Sequence, residues 1–275
     1  MVCSCCANIM PHAAVSLFVT AALTHFAASS TNSKTLRYIS YIPTTLLSLL
    51  ASLLSALSYS PSLRAKFFVS LCAVLSKPGP IDDIRCPLVN GASGNVLEVG
   101  PGAGANFRCL VNATDILSYT TVEPNADFTN VLLSEARDQN LNFEITPTWL
   151  KGEEMDIAEA SIDTVVGTHV LCSVDNPQQV LANIDKALKV GGTYLSMEHV
   201  SASSSDRPLL SLSQNLLSPF FQIIANGCTF RDAEAEISAA LGDRYEIVVD
   251  RYDAPMPLAA FKPHVSIKAK KLKAA

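Results

Sequence analysis

From Asn90 onward, short apolar runs alternate with longer amphipathic stretches. That alternation predicts strands separated by helices, and hence a mostly parallel sheet with helices on both faces. Seven strands are expected: Asn95–Val99, Tyr119–Val122, Leu141–Ile145, Thr164–Gly167, Thr193–Met197, Tyr245–Val249 and His264–Lys268. Helices are expected from the turn after Val99 to Leu110, over Ala126–Gln139, over Pro177–Lys189 with a stop at Gly191-Gly192, and within 206–241. The last strand follows the Pro255–Pro263 connection and should return antiparallel. The fold class is α/β, a doubly wound, mostly parallel, seven-stranded Rossmann-like sheet. In such sheets a ligand sits at the carboxyl ends of the strands, where the strand order reverses.

The first 81 residues follow a different pattern. Ala13–Ala28 and Tyr38–Tyr59 are uncharged apolar runs, each near the roughly 20 residues that span a bilayer. Ser62–Ser76 adds an apolar helix with Arg64 and Lys66 near its start, suited to a membrane surface. Three readings stand: a membrane anchor, spanning or hairpin-like; a cleaved targeting peptide; or helices packed as a lid on the rest. Lys77-Pro78-Gly79-Pro80 breaks the pattern. The expected division is an apolar helical region over 1–77, a linker over 78–90 and a catalytic domain over 91–275.

Charge sharpens that division. No Asp or Glu precedes Asp82, so residues 1–81 carry +5 and the remainder −10 of a chain total of −5. An acidic domain argues against nucleic acid as a partner. The eight cysteines form no pair of Cys-x-x-Cys motifs, so neither a zinc site nor any other metal is expected. No disulfide framework is visible either, which suggests a reducing compartment. Cys3-Ser4-Cys5-Cys6 offers an S-acylation site or a plain reduced terminus.

The densest chemistry lies in Asn95-Val96-Leu97-Glu98-Val99-Gly100-Pro101-Gly102-Ala103-Gly104. A buried strand ends in a carboxylate and turns through three glycines, so backbone can approach a ligand closely. The turn also satisfies a dinucleotide fingerprint, with Glu123 where an acid would meet ribose hydroxyls. Glu98 tilts the balance, because a nearby pyrophosphate would repel it. S-adenosylmethionine brings a sulfonium and an ammonium instead. The cofactor contacts expected are Glu98, Gly100, Gly102, Gly104, Asn106, Glu123, Gly152, Glu153 and Thr168, with Glu153 near the adenine. Outside this class stand an NAD-dependent oxidoreductase and a non-enzymatic coat protein. Glu98 opposes the first and the intact turn opposes the second.

At these residues the chain resembles the methyltransferase-like protein 7 family, alkyl thiol methyltransferases within the class I superfamily. The likeness covers Asn95 to Lys270. It is carried by Val96-Leu97-Glu98-Val99-Gly100, Gly104-Ala105-Asn106-Phe107, Glu123-Pro124-Asn125, Val170-Leu171-Cys172-Ser173-Val174, Gly191-Gly192 and Met197-Glu198-His199-Val200. The resemblance implies a methyl acceptor that is a small lipophilic molecule, foremost a thiol. A quinone, lipid or secondary metabolite methylated on oxygen, nitrogen or carbon is the alternative. It also implies attachment to the endoplasmic reticulum or lipid droplets; a mitochondrial site is the other option. Three departures stand out. The family's Gly-Cys-Gly-Thr-Gly is Gly100-Pro101-Gly102-Ala103-Gly104, its usual Asp is Glu123, and His169 replaces an apolar residue. Ser201–Phe230 aligns poorly and is expected to shape the acceptor pocket.

Methyl transfer from a sulfonium is an in-line displacement, so alignment matters most. A thiol has a pKa near 8.5 and needs no strong base, whereas an alcohol would. His169, Glu198 and His199, near the ends of strands four and five, are the catalytic candidates, with His199 as acid/base or acceptor contact. Cys172 reads as a buried structural thiol.

Overall fold

The computed structural model describes residues 34–274 of the chain. Helices α1 (Lys34–Tyr59), α2 (Pro61–Leu75) and α3 (Asp82–Val89) precede β1 (Gly94–Val99) and β2 (Ile116–Val122). Next come α4 (Thr129–Asp138), β3 (Ile145–Thr148), β4 (Ile162–Thr168), α5 (Pro177–Ala187) and β5 (Leu188–His199). The chain ends with α6 (Pro208–Ile224), α7 (Ala233–Leu241), β6 (Tyr245–Asp253) and β7 (Pro263–Lys271).

The seven strands form one sheet in the order β3-β2-β1-β4-β5-β7-β6. Pairs among β1 to β5 are parallel, and β7 runs antiparallel to both β5 and β6. The order reverses between β1 and β4, which places a ligand crevice beyond Val99 and Thr168. Alternation along the strands builds two cores. Leu97 and Val165 face Val180, Leu181, Ile184 and Ile237 of α5 and α7. Their neighbours Val96 and Val166 face Leu88, Phe107, Leu110 and Leu132 on the other side. α5 starts where Asn176 caps the Gln179 N–H and Pro177 occupies the first turn.

Four expectations need correction. The helix expected up to Leu110 is a run of turns ending in a 3₁₀ turn at Phe107–Cys109. Phe107 and Leu110, three residues apart, are both fully buried, a spacing that suits 3₁₀ geometry. Cys109 is disulfide-bonded to Cys86 of α3, against the expectation of none. Strand three begins at Ile145 rather than Leu141, because Phe143 stacks on Tyr119 at 5.2 Å before pairing with β2 starts. Gly191-Gly192 lies inside β5 instead of closing α5.

The apolar N-terminal region also differs. The Ala13–Ala28 run and the Cys3–Cys6 cluster lie outside the described residues. Tyr38–Tyr59 falls in α1, and no helix among the described residues is long and apolar enough to cross a membrane. Instead Ala51, Leu54 and Leu57 are buried, and Leu54 and Leu57 cluster with Ile223 of α6. The 78–90 segment contains α3, whose Leu88 and Val89 are buried in the core.

Candidate active site

After Val99 the chain reverses through Gly100-Pro101-Gly102-Ala103-Gly104. Gly100 has φ +66°, and a Cβ there would sit 2.6 Å from Val170 Cγ2, so only glycine fits. Gly102 also has positive φ, +53°, yet a Cβ there would meet nothing closer than the Phe128 ring at 3.9 Å. At Gly102 the turn thus presents bare backbone edged by the Phe128 ring, a cradle that a ligand can approach closely.

Two buried acids bracket this cradle. Glu98 is 1% exposed and lies beneath the turn. Its Oε1 accepts from Asn106 Nδ2 at 2.6 Å and its Oε2 from the Tyr119 hydroxyl at 2.7 Å. Asn106 also donates to Thr168 Oγ1 at 3.0 Å, tying the end of β4 to the turn. Burial pushes the Glu98 carboxyl up to about 7, although the Tyr119 and Asn106 hydrogen bonds and the Arg85 charge pull it down. Glu123, just past β2, accepts the Gly102 N–H at 3.3 Å and the Asn125 N–H at 3.0 Å. Burial raises it too to about 7 against those two bonds.

These features fit S-adenosylmethionine. A buried carboxylate gains from a cation and loses from a pyrophosphate. The turn also lacks the following α-helix whose N-terminus would hold a pyrophosphate. Glu153 sits further along: its Oε1 accepts the Asp175 and Asn176 N–H groups at 2.8 and 3.0 Å, fastening the entry to α5. Gly152 is buried, and its carbonyl accepts from Asn183 at 3.0 Å.

α2 covers the turn from above. Asn125 Nδ2 donates to the Ala65 carbonyl at 3.3 Å, and Phe68 meets Phe128 edge-on at 5.9 Å. Val69 clusters with Ala103 and Phe128. α2 thus packs over the turn and the segment that follows β2.

A second cluster adjoins the first, since Thr168 and His169 are consecutive. His169 has φ +58°, an uncommon backbone for a non-glycine residue and a frequent mark of functional sites. Its Nε2 lies 2.9 Å from Nε2 of His264. His264 Nδ1 faces the Lys262 carbonyl at 3.1 Å and must donate to it. In the neutral pair His169 Nε2 therefore carries the shared hydrogen, and His169 Nδ1 keeps a lone pair. Burial lowers both histidines, His264 to about 4. Burial pushes the fully buried Glu198 up to about 8, aided by Cys172 and opposed by the Val170 and Leu171 N–H groups it binds at 3.0 and 3.1 Å.

His199 is 5% exposed, with Nε2 3.2 Å from Cys228 Sγ. Burial alone would lower it, but Cys172 and then Glu198 outweigh that and raise it. Phe230 and Phe261 flank its ring at 5.4 and 5.1 Å, and Phe221 packs on Phe261 at 4.5 Å. Glu198 Oε2 and His199 Nδ1 are buried without hydrogen-bond partners, so the cluster does not satisfy itself. Sequence reasoning missed His264, Cys228 and Tyr119. His264 reaches the site because β7 pairs it with His199 across the sheet, which no local spacing reveals.

Residues 97–196 match a methyltransferase domain model. The chain is 32% identical over 180 residues to thiol S-methyltransferase TMT1A of Homo sapiens, covering 64% of this chain and 70% of that protein. It is 34% identical over 193 residues to thiol S-methyltransferase TMT1B of Rattus norvegicus, covering 66% and 74%. Among solved structures, the N-methyltransferase NodS from Bradyrhizobium japonicum, in complex with S-adenosyl-L-homocysteine, superposes with a TM-score of 0.52 at 16% identity, over 72% of this chain and 90% of that one. A geranyl diphosphate methyltransferase in complex with SAM gives 0.53 at 14% identity, over 69% and 83%. These two likenesses are of fold. The sheet order, the acid-flanked glycine turn and the sequence relatives agree: the chain belongs to the thiol S-methyltransferase family that its motifs resemble, within the class I methyltransferases that use S-adenosylmethionine.

Proposed function

We propose that this methyltransferase acts on the sulfur of a small lipophilic thiol at a membrane or lipid-droplet surface. The observation that carries the reading is the junction at Thr168-His169. It joins the acid-flanked cradle to a cluster walled by Phe221, Phe230 and Phe261. S-adenosylmethionine supplies an electrophilic methyl on a sulfonium, and transfer leaves a neutral thioether. Glu123 receives the ribose hydroxyls, while Asn106 and Thr168 hold the turn. Glu98, beneath them, contributes negative charge toward a cationic ligand. Gly152 and Glu153 fix the loop at the adenine end. His169, Glu198 and His199 border the acceptor, and the aromatic rings exclude water. His169 and His264 stay neutral at pH 7, so they place no positive charge beside the sulfonium. A thiol, already a few per cent thiolate at neutral pH, asks little more of the protein.

Membrane attachment draws on the N-terminal helices. Leu49 and Leu53 of α1, Val74 of α2 and Leu209, Leu212 and Leu216 of α6 are exposed on helices that touch one another. Exposed apolar side chains in such numbers suit the acyl boundary of a membrane. Residues 1–77 would then supply attachment and cover, and 91–275 the catalysis, at the endoplasmic reticulum or a lipid droplet. The test is incubation with isotope-labelled S-adenosylmethionine and a panel of alkane thiols, phenols and amines, read by mass spectrometry. The expected product is an S-methyl thioether. Methylation only at oxygen, nitrogen or carbon would overturn the thiol reading and favour a quinone, lipid or secondary metabolite.

A further inference from the structure

We infer that Cys172, His199 and Cys228 form a binding site for a divalent metal of the zinc type, whose open coordination position receives the acceptor's sulfur. The metal half stands on geometry alone, while the sulfur half rests on the thiol reading above.

The three side chains come from separate elements: the loop after β4, the end of β5 and the loop after α6. Thr229 links the two loops, its N–H and hydroxyl both donating to the Cys172 carbonyl at 2.9 and 3.1 Å. The two sulfurs and the imidazole nitrogen all lie within 4.8 Å of one another. Cys172, His199 and Cys228 are 4%, 5% and 6% exposed. Tetrahedral zinc, with Zn–S of about 2.3 Å and Zn–N of about 2.0 Å, sets its ligand atoms some 3.5–3.8 Å apart. Small side-chain shifts close this triangle onto that geometry. Two thiolates and an imidazole are soft donors that select zinc over magnesium or calcium.

Most neighbouring polar atoms are committed elsewhere, the exceptions being Glu198 Oε2, buried without a partner, and the free lone pair on His169 Nδ1. His169 Nε2 is turned to His264, and Glu198 Oε1 holds the Val170 and Leu171 N–H groups. Two cysteines, one histidine and an open position are the ligand pattern of catalytic rather than structural zinc. Around that position, Phe230 and Phe261 form an apolar wall suited to a lipophilic group. The step then balances. The acceptor enters as its thiolate, its S–H proton left in bulk water, and binds the metal's open position. A sulfur lone pair then forms the new C–S bond. The methyl–sulfonium bond breaks, its electron pair staying on the departing thioether. After transfer the product thioether, a weaker donor, leaves the metal. The metal changes neither charge nor oxidation state.

Full-length protein purified under reducing conditions should carry one zinc per chain by elemental mass spectrometry. Cys72→Ser should keep it, and the Cys172→Ser/Cys228→Ser double variant should lose it. Should the double variant fail to fold, cobalt titrated into chelator-stripped wild-type protein gives the same answer. A thiolate-to-cobalt charge-transfer band that zinc abolishes supports the site; absence of the band overturns it. Butanethiol added to the cobalt form should shift its visible bands, and unchanged bands would overturn the sulfur half. Stripped protein that still binds S-adenosylmethionine by calorimetry but no longer methylates thiols supports the inference. Unchanged thiol methylation by stripped protein would overturn the metal's role and leave the thiol reading intact. Bound zinc with no thiol methylation in either form would sink the thiol reading and the sulfur half together.

Discussion

Replacing Glu98 by glutamine separates what the fold prefers from what the cofactor requires. The carboxyl is 1% exposed and is raised from 4.5 to about 7, chiefly by burial. At 1.36 kcal/mol per unit, keeping it ionised above pH 7 costs the folded state roughly 3 kcal/mol. The folded-state value lies above the unfolded one, so this group's contribution falls as pH rises from 4.5 to about 7 and stays reduced beyond. Glutamine preserves both hydrogen bonds: its carbonyl accepts from Asn106 Nδ2 and its amide donates to the Tyr119 oxygen. Without cofactor, Glu98→Gln should match the wild type near pH 4.5 and exceed it at pH 8 by up to roughly 3 kcal/mol. At roughly 2–4 °C per kcal/mol, Tm should rise by up to about 6–12 °C. Affinity for S-adenosylmethionine should move the other way, weakening at least about tenfold as a buried charge facing the cation is lost. Differential scanning calorimetry at pH 5 and pH 8, with titration calorimetry at pH 8, reads both quantities. A Tm gain that does not grow between the two pH values would refute the burial argument. Unchanged affinity would remove Glu98 from the cofactor's field.

Glu123, raised to about 7 by burial, should accept ribose hydroxyls only when ionised. Wild-type affinity for S-adenosylmethionine should therefore strengthen as pH rises from 6 to 8, and Glu123→Ala should lose most binding while keeping its circular dichroism spectrum. Gly100→Ala forces a Cβ to 2.6 Å from Val170 at φ +66°, a strain of about 2–5 kcal/mol that denaturant unfolding should register. Gly102→Ala meets no such clash and should cost only about 1–2 kcal/mol. It should nevertheless weaken cofactor binding, by filling the cradle. Charging the exposed face with Leu209→Glu, Leu212→Glu and Leu216→Glu should reduce co-flotation with phosphatidylcholine vesicles and leave turnover of a water-soluble thiol unchanged.

What was legible in the sequence was local. Apolar runs such as Val96-Leu97 and Val165-Val166 announce strands because they feed both cores at once. The glycine turn and Glu123 are fixed by spacing from those strands. Errors arose where tertiary contacts outvoted local pattern. The stretch after Gly104 reads as a helix, but Phe107, Cys109 and Leu110 are pulled into the core as a 3₁₀ turn. Tyr38–Tyr59 reads as a span, but Leu54 and Leu57 find a protein partner in Ile223. Glu98 is legible as a carboxylate at the strand end, but its bonds to Asn106 and to Tyr119 of β2 are tertiary contacts that local spacing does not reveal. The Cys172, His199 and Cys228 cluster spans 57 residues of chain, and only the sheet and the α6 connection assemble it.

The most direct measurement uses S-adenosylmethionine carrying a chiral hydrogen–deuterium–tritium methyl group and an alkane thiol acceptor. Transfer in one in-line step at the junction of cradle and acceptor cluster predicts a labelled thioether with inverted methyl configuration. Retention of configuration, which requires a methylated protein residue such as Cys172 between donor and acceptor, would contradict the account, as would label appearing in no thioether.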